Sequence, residues 1–162
     1  MAEPAYDDSN IFAKILRGEI PCHKVYEDEV VLAFMDVMPQ ADGHVLVLPK
    51  TPARNILDVD PDVLAALAPR LQKLARAVKR ALDTDGLTIL QFNEPAGGQT
   101  VFHLHFHIVP RWTGVPLRPH SGIMEKPETL AAFRERIVAA LDAAERGRTQ
   151  DKGRGVAAAF FP

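Results

Sequence analysis

Three histidines occupy every second position of the segment "VFHLHFHIVP": His103, His105 and His107, with Leu104, Phe106 and Ile108 at the positions after them. Successive residues of a β-strand point to opposite faces, so the segment predicts a strand with one apolar face and one face of imidazoles spaced ~6.5–7 Å apart. The fold must cover the apolar face and bring hydrogen-bond partners to the other, because buried polar groups without partners are costly. A sheet built for stability alone would carry Val or Ile at those positions. Three in strict alternation point to chemistry, whereas His23 and His120, isolated in sequence, read as incidental polar side chains.

The rest of the chain supplies the covering elements. "SNIFAKILRGEIP" predicts a short helix with Ser9 as its N-cap and Gly18 at a left-handed terminus. "KVYE" and "VVLAFM", separated by Asp28-Glu29, predict a hairpin. "HVLVLP" is apolar at consecutive positions, as in a strand covered on both faces. A long helix opens at Asp60-Pro61 and repeats Leu64, Leu67, Leu71, Leu74 and Val78 at helical spacing. Pro69 lies inside it and predicts a kink or a broken first turn. "LTILQF" adds a strand, and a last helix after Pro127 carries Leu130, Phe133, Ile137 and Leu141 on one side. Helix, three strands, helix, two strands, helix predicts an α+β domain on a mostly antiparallel sheet. The division expected is an extension over 1–8, one domain over 9–145, and a Gly/basic tether with an apolar tail over 146–162.

Charge and cysteine content narrow the function. A formal net charge of −2 gives no long-range attraction to nucleic acid or to an anionic membrane. No apolar run approaches the roughly 18–20 residues of a membrane span. A single cysteine, Cys22, excludes an internal disulfide and a CxxC metal knuckle, and nothing near it in sequence would activate its thiol. The expected setting is cytoplasmic.

Two chemistries fit a row of imidazoles: a metal centre, or a nucleophilic imidazole whose neighbours handle charge and protons on a phosphate ester. The loop "NEPAGGQT" runs directly into the histidine segment. Its backbone N–H groups, the Gln99 amide and the Thr100 hydroxyl can surround an anion without net positive charge. A metal gives that loop no task, so the phosphate reading is favoured.

These residues resemble the histidine triad (HIT) family. "HLHFHIV" matches its alternating signature, and "IFAKILRGEIPCHKVYEDEVVLAFMDVMPQADGHVLVLPK" with "NEPAGGQTVFHLHFH" resembles the Hint branch, the purine-nucleoside phosphoramidase type. The resemblance implies a five-stranded antiparallel sheet with helices, joined to its twin as a ten-stranded sheet in a homodimer. It implies His105 as a nucleophile that is transiently nucleotidylated, His107 on the phosphoryl oxygens, His103 orienting the nucleophile and His44 completing a proton relay. It implies Asp36 on the ribose, Ile11, Phe12, Ile15, Phe34 and Val37 around a purine, and Asn93, Gly98, Gln99, Thr100 and Val101 around the phosphate. Neither metal nor cofactor is implied for the reaction.

Departures from the pattern matter. Many bacterial relatives carry two helix cysteines that belong to a structural zinc site; here those positions are Asn10 and Ala13, so no such zinc is expected. After "VLPK" the chain reads "TPARN", without the histidine common in relatives. The loop with Pro95 is about one residue shorter than in the mammalian-type branch. Alternatives remain: a dinucleoside-polyphosphate hydrolase of the Fhit branch, and a nucleotide-binding regulator with weak turnover. Trp112 is expected in packing or an interface, and the apolar tail is expected to dock on the dimer.

Overall fold

The computed structural model describes residues 2, 4–119 and 122–154, with side chains as far as Asp151. The elements follow the predicted order: α1 (Ile11–Leu16), β1 (Lys24–Glu27), β2 (Val31–Met35), β3 (Val45–Pro49), α2 (Pro61–Leu82), β4 (Gly86–Leu90), β5 (Phe106–Arg111) and α3 (Pro127–Arg154). A single 3-10 turn, Pro95–Gly97, precedes β5. The five strands form one sheet in the order β1-β2-β3-β5-β4, and every neighbouring pair is antiparallel.

Strand alternation divides the core into two layers. Val31, Ala33, Met35, Val45, Val47 and Ile108 belong to one cluster with Leu67, Leu74 and Val78 of α2 and Leu130, Ile137 and Leu141 of α3. Leu32, Phe34, Leu46 and Leu48 point the other way and pack with Phe12, Ile15 and Leu16 of α1. His107 sits opposite Leu46 on β3 and Leu90 on β4, so its side chain emerges on the α1 side. The large helices therefore stabilise the sheet from behind while the short one leaves room for a site.

Cap chemistry explains the helix limits. Asn10, not Ser9, caps α1, its Oδ1 accepting from Ala13 N at 2.9 Å, while Ser9 N and Oγ bond to Asp7 Oδ1. Gly18 closes that end at φ +79°. Asp60 caps α2 through Asp62 N, and the helix runs unbroken past Pro69, so the expected broken first turn does not occur. α3 continues through Gly147 as far as Arg154, and the stretch from Arg146 to Arg154 read as a tether is helical. His120 and the apolar tail lie outside the described residues.

The largest departure concerns the histidine strand. β5 begins at Phe106, and residues 101–105 are not in the sheet. The β3–β5 register, Val45 on Ile108 to Val47 on Phe106, would set Leu104 against Pro49. Proline has no N–H for a ladder. Leu104 N bonds to Ala53 O instead, at 2.8 Å, and the chain joins the sheet only after His105.

Candidate active site

The tautomers of the histidine cluster trace back to neighbours that can only donate or only accept. His105 Nδ1 lies 2.6 Å from the His103 carbonyl oxygen, an acceptor, so the hydrogen is on Nδ1 and the lone pair on Nε2. Gln40 N donates to His44 Nδ1 at 3.1 Å, which places the His44 hydrogen on Nε2. His44 Nε2 then donates to His107 Nδ1 at 2.9 Å, and neutral His107 carries its own hydrogen on Nε2. His103 Nε2 donates to Pro49 O at 2.8 Å, and its Nδ1 accepts from the Tyr6 hydroxyl at 2.6 Å. Burial pushes the His103 imidazole below its ordinary range, against the smaller opposing effects of the Pro49 carbonyl and Asp58. All four rings are buried.

The rings converge although only His107 lies in a strand. His105 and His107 have centroids 5.0 Å apart, and His44 lies 5.1 Å from His107. Phe12, expected in the purine pocket, meets His105 edge-on at 4.8 Å and in turn meets Phe34, also expected there, at 5.5 Å. Ile15 is half-buried in the same cluster, whereas Ile11 and Val37 are exposed. Asp36 is buried; its Oδ1 accepts from Met38 N at 2.9 Å, and its Oδ2 lies 3.6 Å from His44 Nε2. Asp36, His44 and His107 hold donor atoms within 4.8 Å of one another, close enough for a metal ion, and the two imidazoles are joined there by a hydrogen bond.

The loop before the histidines is braced from the segment after β3. Gln99 was expected to donate to phosphate, but its carboxamide is filled internally: Nε2 donates to Arg54 O and Val101 O, and Oε1 accepts from Glu94 N and Asn55 Nδ2. Arg54 grips the Glu94 carboxylate through two nitrogens, at 2.7 and 3.1 Å, and Asn55 Nδ2 adds a third contact at 2.6 Å. These bonds hold Glu94 at φ 64°, ψ 163°, a conformation that side-chain-bearing residues rarely adopt. Gly98 follows at φ +94°, and Gly97, Gly98 and Thr100 are exposed. Asn93 exchanges hydrogen bonds with Gln91 and accepts from Ile56 N, and Val101 packs on the α1 cluster. Phe92 lies edge-on to His107 at 5.5 Å.

Tyr6, Arg54, Asn55 and Glu94 lie outside the site residues named from sequence; only the adjacency of Glu94 to the glycines was visible there. Trp112 packs against the main core. Cys22 is half-buried against the cluster of Phe12, Leu32, Phe34, Leu46 and Leu48, and burial pushes its thiol up.

Residues 17–114 match the HIT domain. The chain belongs to the HIT family. It is 37% identical over 122 residues to an Arabidopsis thaliana protein named adenylylsulfatase HINT3, covering 72% of this chain and 62% of that one. It is 43% identical over 102 residues to protein hit of Bacillus subtilis, covering 63% of this chain and 70% of that one. A crystal structure of a Hit-like protein from Bartonella henselae, described as involved in cell-cycle regulation and as holding an unknown ligand, superposes with a TM-score of 0.81. It is 52% identical and covers 85% of this chain and 99% of the other.

Proposed function

We propose that this HIT protein is a nucleotide-binding hydrolase that cleaves the bond between a purine nucleoside 5′-monophosphoryl group and its leaving group, a phosphoramidate amine or a similar group. The observation that carries the reading is the 2.6 Å bond from His105 Nδ1 to the His103 carbonyl, because it puts the lone pair on Nε2, the atom a nucleophilic imidazole needs.

In the first step His105 Nε2 attacks the α-phosphorus, the N–P bond forms, and the bond to the leaving group breaks. The leaving group takes the proton of His107 Nε2, while His44 Nε2–H, held beside the Asp36 carboxylate, stays hydrogen-bonded to His107 Nδ1 and stabilises the charge that develops on that ring. Water then attacks the phosphorus and gives its proton to His107 Nε2, the N–P bond breaks, and a nucleoside monophosphate departs with both imidazoles restored. The Thr100 N–H and hydroxyl receive the phosphoryl oxygens, because the Gly97, Gly98 and Gln99 N–H groups expected there already donate to Glu94 O and Pro95 O. Phe12, Ile15 and Phe34 receive the base with Ile11 and Val37 at its rim, and Asp36 accepts from the ribose. Each Asp36 oxygen has a second lone pair for that bond. The Arabidopsis relative's name fits the same attack with sulfate as the leaving group.

The working form in this reading is a homodimer. β4 is an edge strand whose residues Gly86–Leu90 carry no charge and whose Ile89 is exposed, so a second copy pairing there extends the sheet to ten strands. Among the described residues no helix is long and apolar enough to cross a membrane. A cytoplasmic setting fits the single half-buried cysteine.

Comparing kcat/KM on adenosine 5′-phosphoramidate with kcat/KM on diadenosine polyphosphates tests the reaction class. At least ~10-fold preference for the phosphoramidate is expected; preference for the dinucleotides assigns the Fhit-type reaction instead, and turnover of neither favours the regulator.

A further inference from the structure

The carbonyl that holds the nucleophile belongs to a segment outside the sheet, where the Leu104 N–Ala53 O bond holds one side of its peptide unit and the His103 side chain the other. The His103 ring is tied at both nitrogens. Nε2 donates to Pro49 O, which leaves Nδ1 as an acceptor in a fully buried ring. A buried acceptor needs a donor that water cannot supply there. That donor is the Tyr6 hydroxyl, 2.6 Å away, from the segment before α1. The hydroxyl accepts in turn from Asn10 Nδ2 at 3.0 Å, and Asn10 Oδ1 caps α1. Asn10 Nδ2 also reaches Asp7 O, so the arm carrying Tyr6 is anchored to the helix start.

We propose that Tyr6 is a positioning residue for the reaction: its hydroxyl fixes the orientation of the His103 ring and so aims the His103 carbonyl that holds His105 for in-line attack. This rests on His105 being the nucleophile. Phe12, the second residue of the same helix, packs edge-on against His105 at 4.8 Å. The helix therefore bears on the nucleophile directly through Phe12, and through Tyr6 and His103 on the carbonyl that holds it. The N-terminal arm, 97 residues from His103 in sequence, becomes part of the catalytic framework rather than an extension.

Two variants test this. Tyr6→Phe removes one oxygen, and Asn10→Asp keeps a good N-cap but turns the donor facing Tyr6 into an acceptor that competes for its only hydrogen. Both are expected to lower kcat roughly 5- to 50-fold while KM stays within about 2-fold of the parent. Nitrogen NMR of histidine-labelled protein is expected to show the His103 Nδ1 resonance displaced in both variants. Parent kcat in Tyr6→Phe, an unmoved His103 resonance, or a raised KM with unchanged kcat overturns the proposal. Should Tyr6→Phe fail to fold, Asn10→Asp decides it by the same readouts. His105→Ala is measured alongside: inactivity with normal turnover of Tyr6→Phe refutes only the role of Tyr6, whereas parent-like turnover of His105→Ala refutes the nucleophile and this inference with it.

Discussion

His44 Nε2 lies 2.9 Å from His107 Nδ1, and the direction of that bond is set by Gln40 N on the far side of the His44 ring. A backbone amide thus fixes which way the proton points, two rings away from the position assigned to the leaving group. Removing the relay with His44→Asn is expected to lower kcat roughly 100-fold for an amine leaving group, which needs a proton to depart. For a weakly basic aryl leaving group the loss is expected to stay below about 10-fold. Equal losses on both substrates in steady-state assays would assign His44 to structure rather than proton delivery.

Gln99 braces the loop: all the hydrogen-bonding positions of its carboxamide are filled from within. Gln99→Leu leaves Glu94 N and Asn55 Nδ2 without that acceptor and is expected to destabilise the fold by about 2 kcal/mol. In the same variant KM is expected to rise more than kcat falls, as the loop loses its shape. Denaturant unfolding checks the first expectation; unchanged stability with lowered kcat/KM would restore the amide to the phosphate.

Gly43 turns the chain immediately before His44, at φ +79°, where a Cβ would lie 2.0 Å from Leu82 Cδ1. Leu82 is itself buried in the core. Gly43→Ala is expected to cost about 1–3 kcal/mol, from backbone strain and overpacking together. A melting temperature equal to the parent's would show that the turn and Leu82 both yield without cost.

Asp28 joins the β1–β2 turn to α2. Burial alone would raise its carboxyl, but hydrogen bonds from Val31 N, Val30 N, Arg70 and Tyr26 outweigh it and hold the group well below the usual carboxylate range. The unfolded chain takes up its proton near pH ~3.9, so the folded state binds fewer protons below that point and loses the stabilisation as pH falls. Asp28→Asn is expected to be less stable than the parent by about 2 kcal/mol at neutral pH, with the difference shrinking below pH ~4. Urea titrations at several pH values check it; a constant difference contradicts the assignment.

The element order was legible because each element has a local signal: Asp60-Pro61 opens α2, the unbroken apolar run of β3 marks a strand covered on both faces, and Leu130, Ile137 and Leu141 keep helical spacing. The start of β5 was not, because it depends on Pro49 in another strand, and alternation continues through residues 101–105 whether or not they pair. The three histidines were legible from composition and spacing alone. The tautomers of His103 and His107 were not, since they are set by Pro49 O, Tyr6 and, through His44, Gln40 N, residues placed by the fold rather than by sequence proximity; that of His105 is set by the His103 carbonyl two residues away. For the same reason the Arg54–Glu94 brace, formed between residues 40 apart, had no sequence signature.

The most direct test is to expose the protein briefly to a nucleotide carrying radiophosphorus at the α position, quench it in denaturant, and locate the label by peptide mapping. The account predicts a base-stable, acid-labile phosphorus–nitrogen bond on His105, absent from His105→Ala. Substrate turnover without label on His105, or label on another residue, would contradict it.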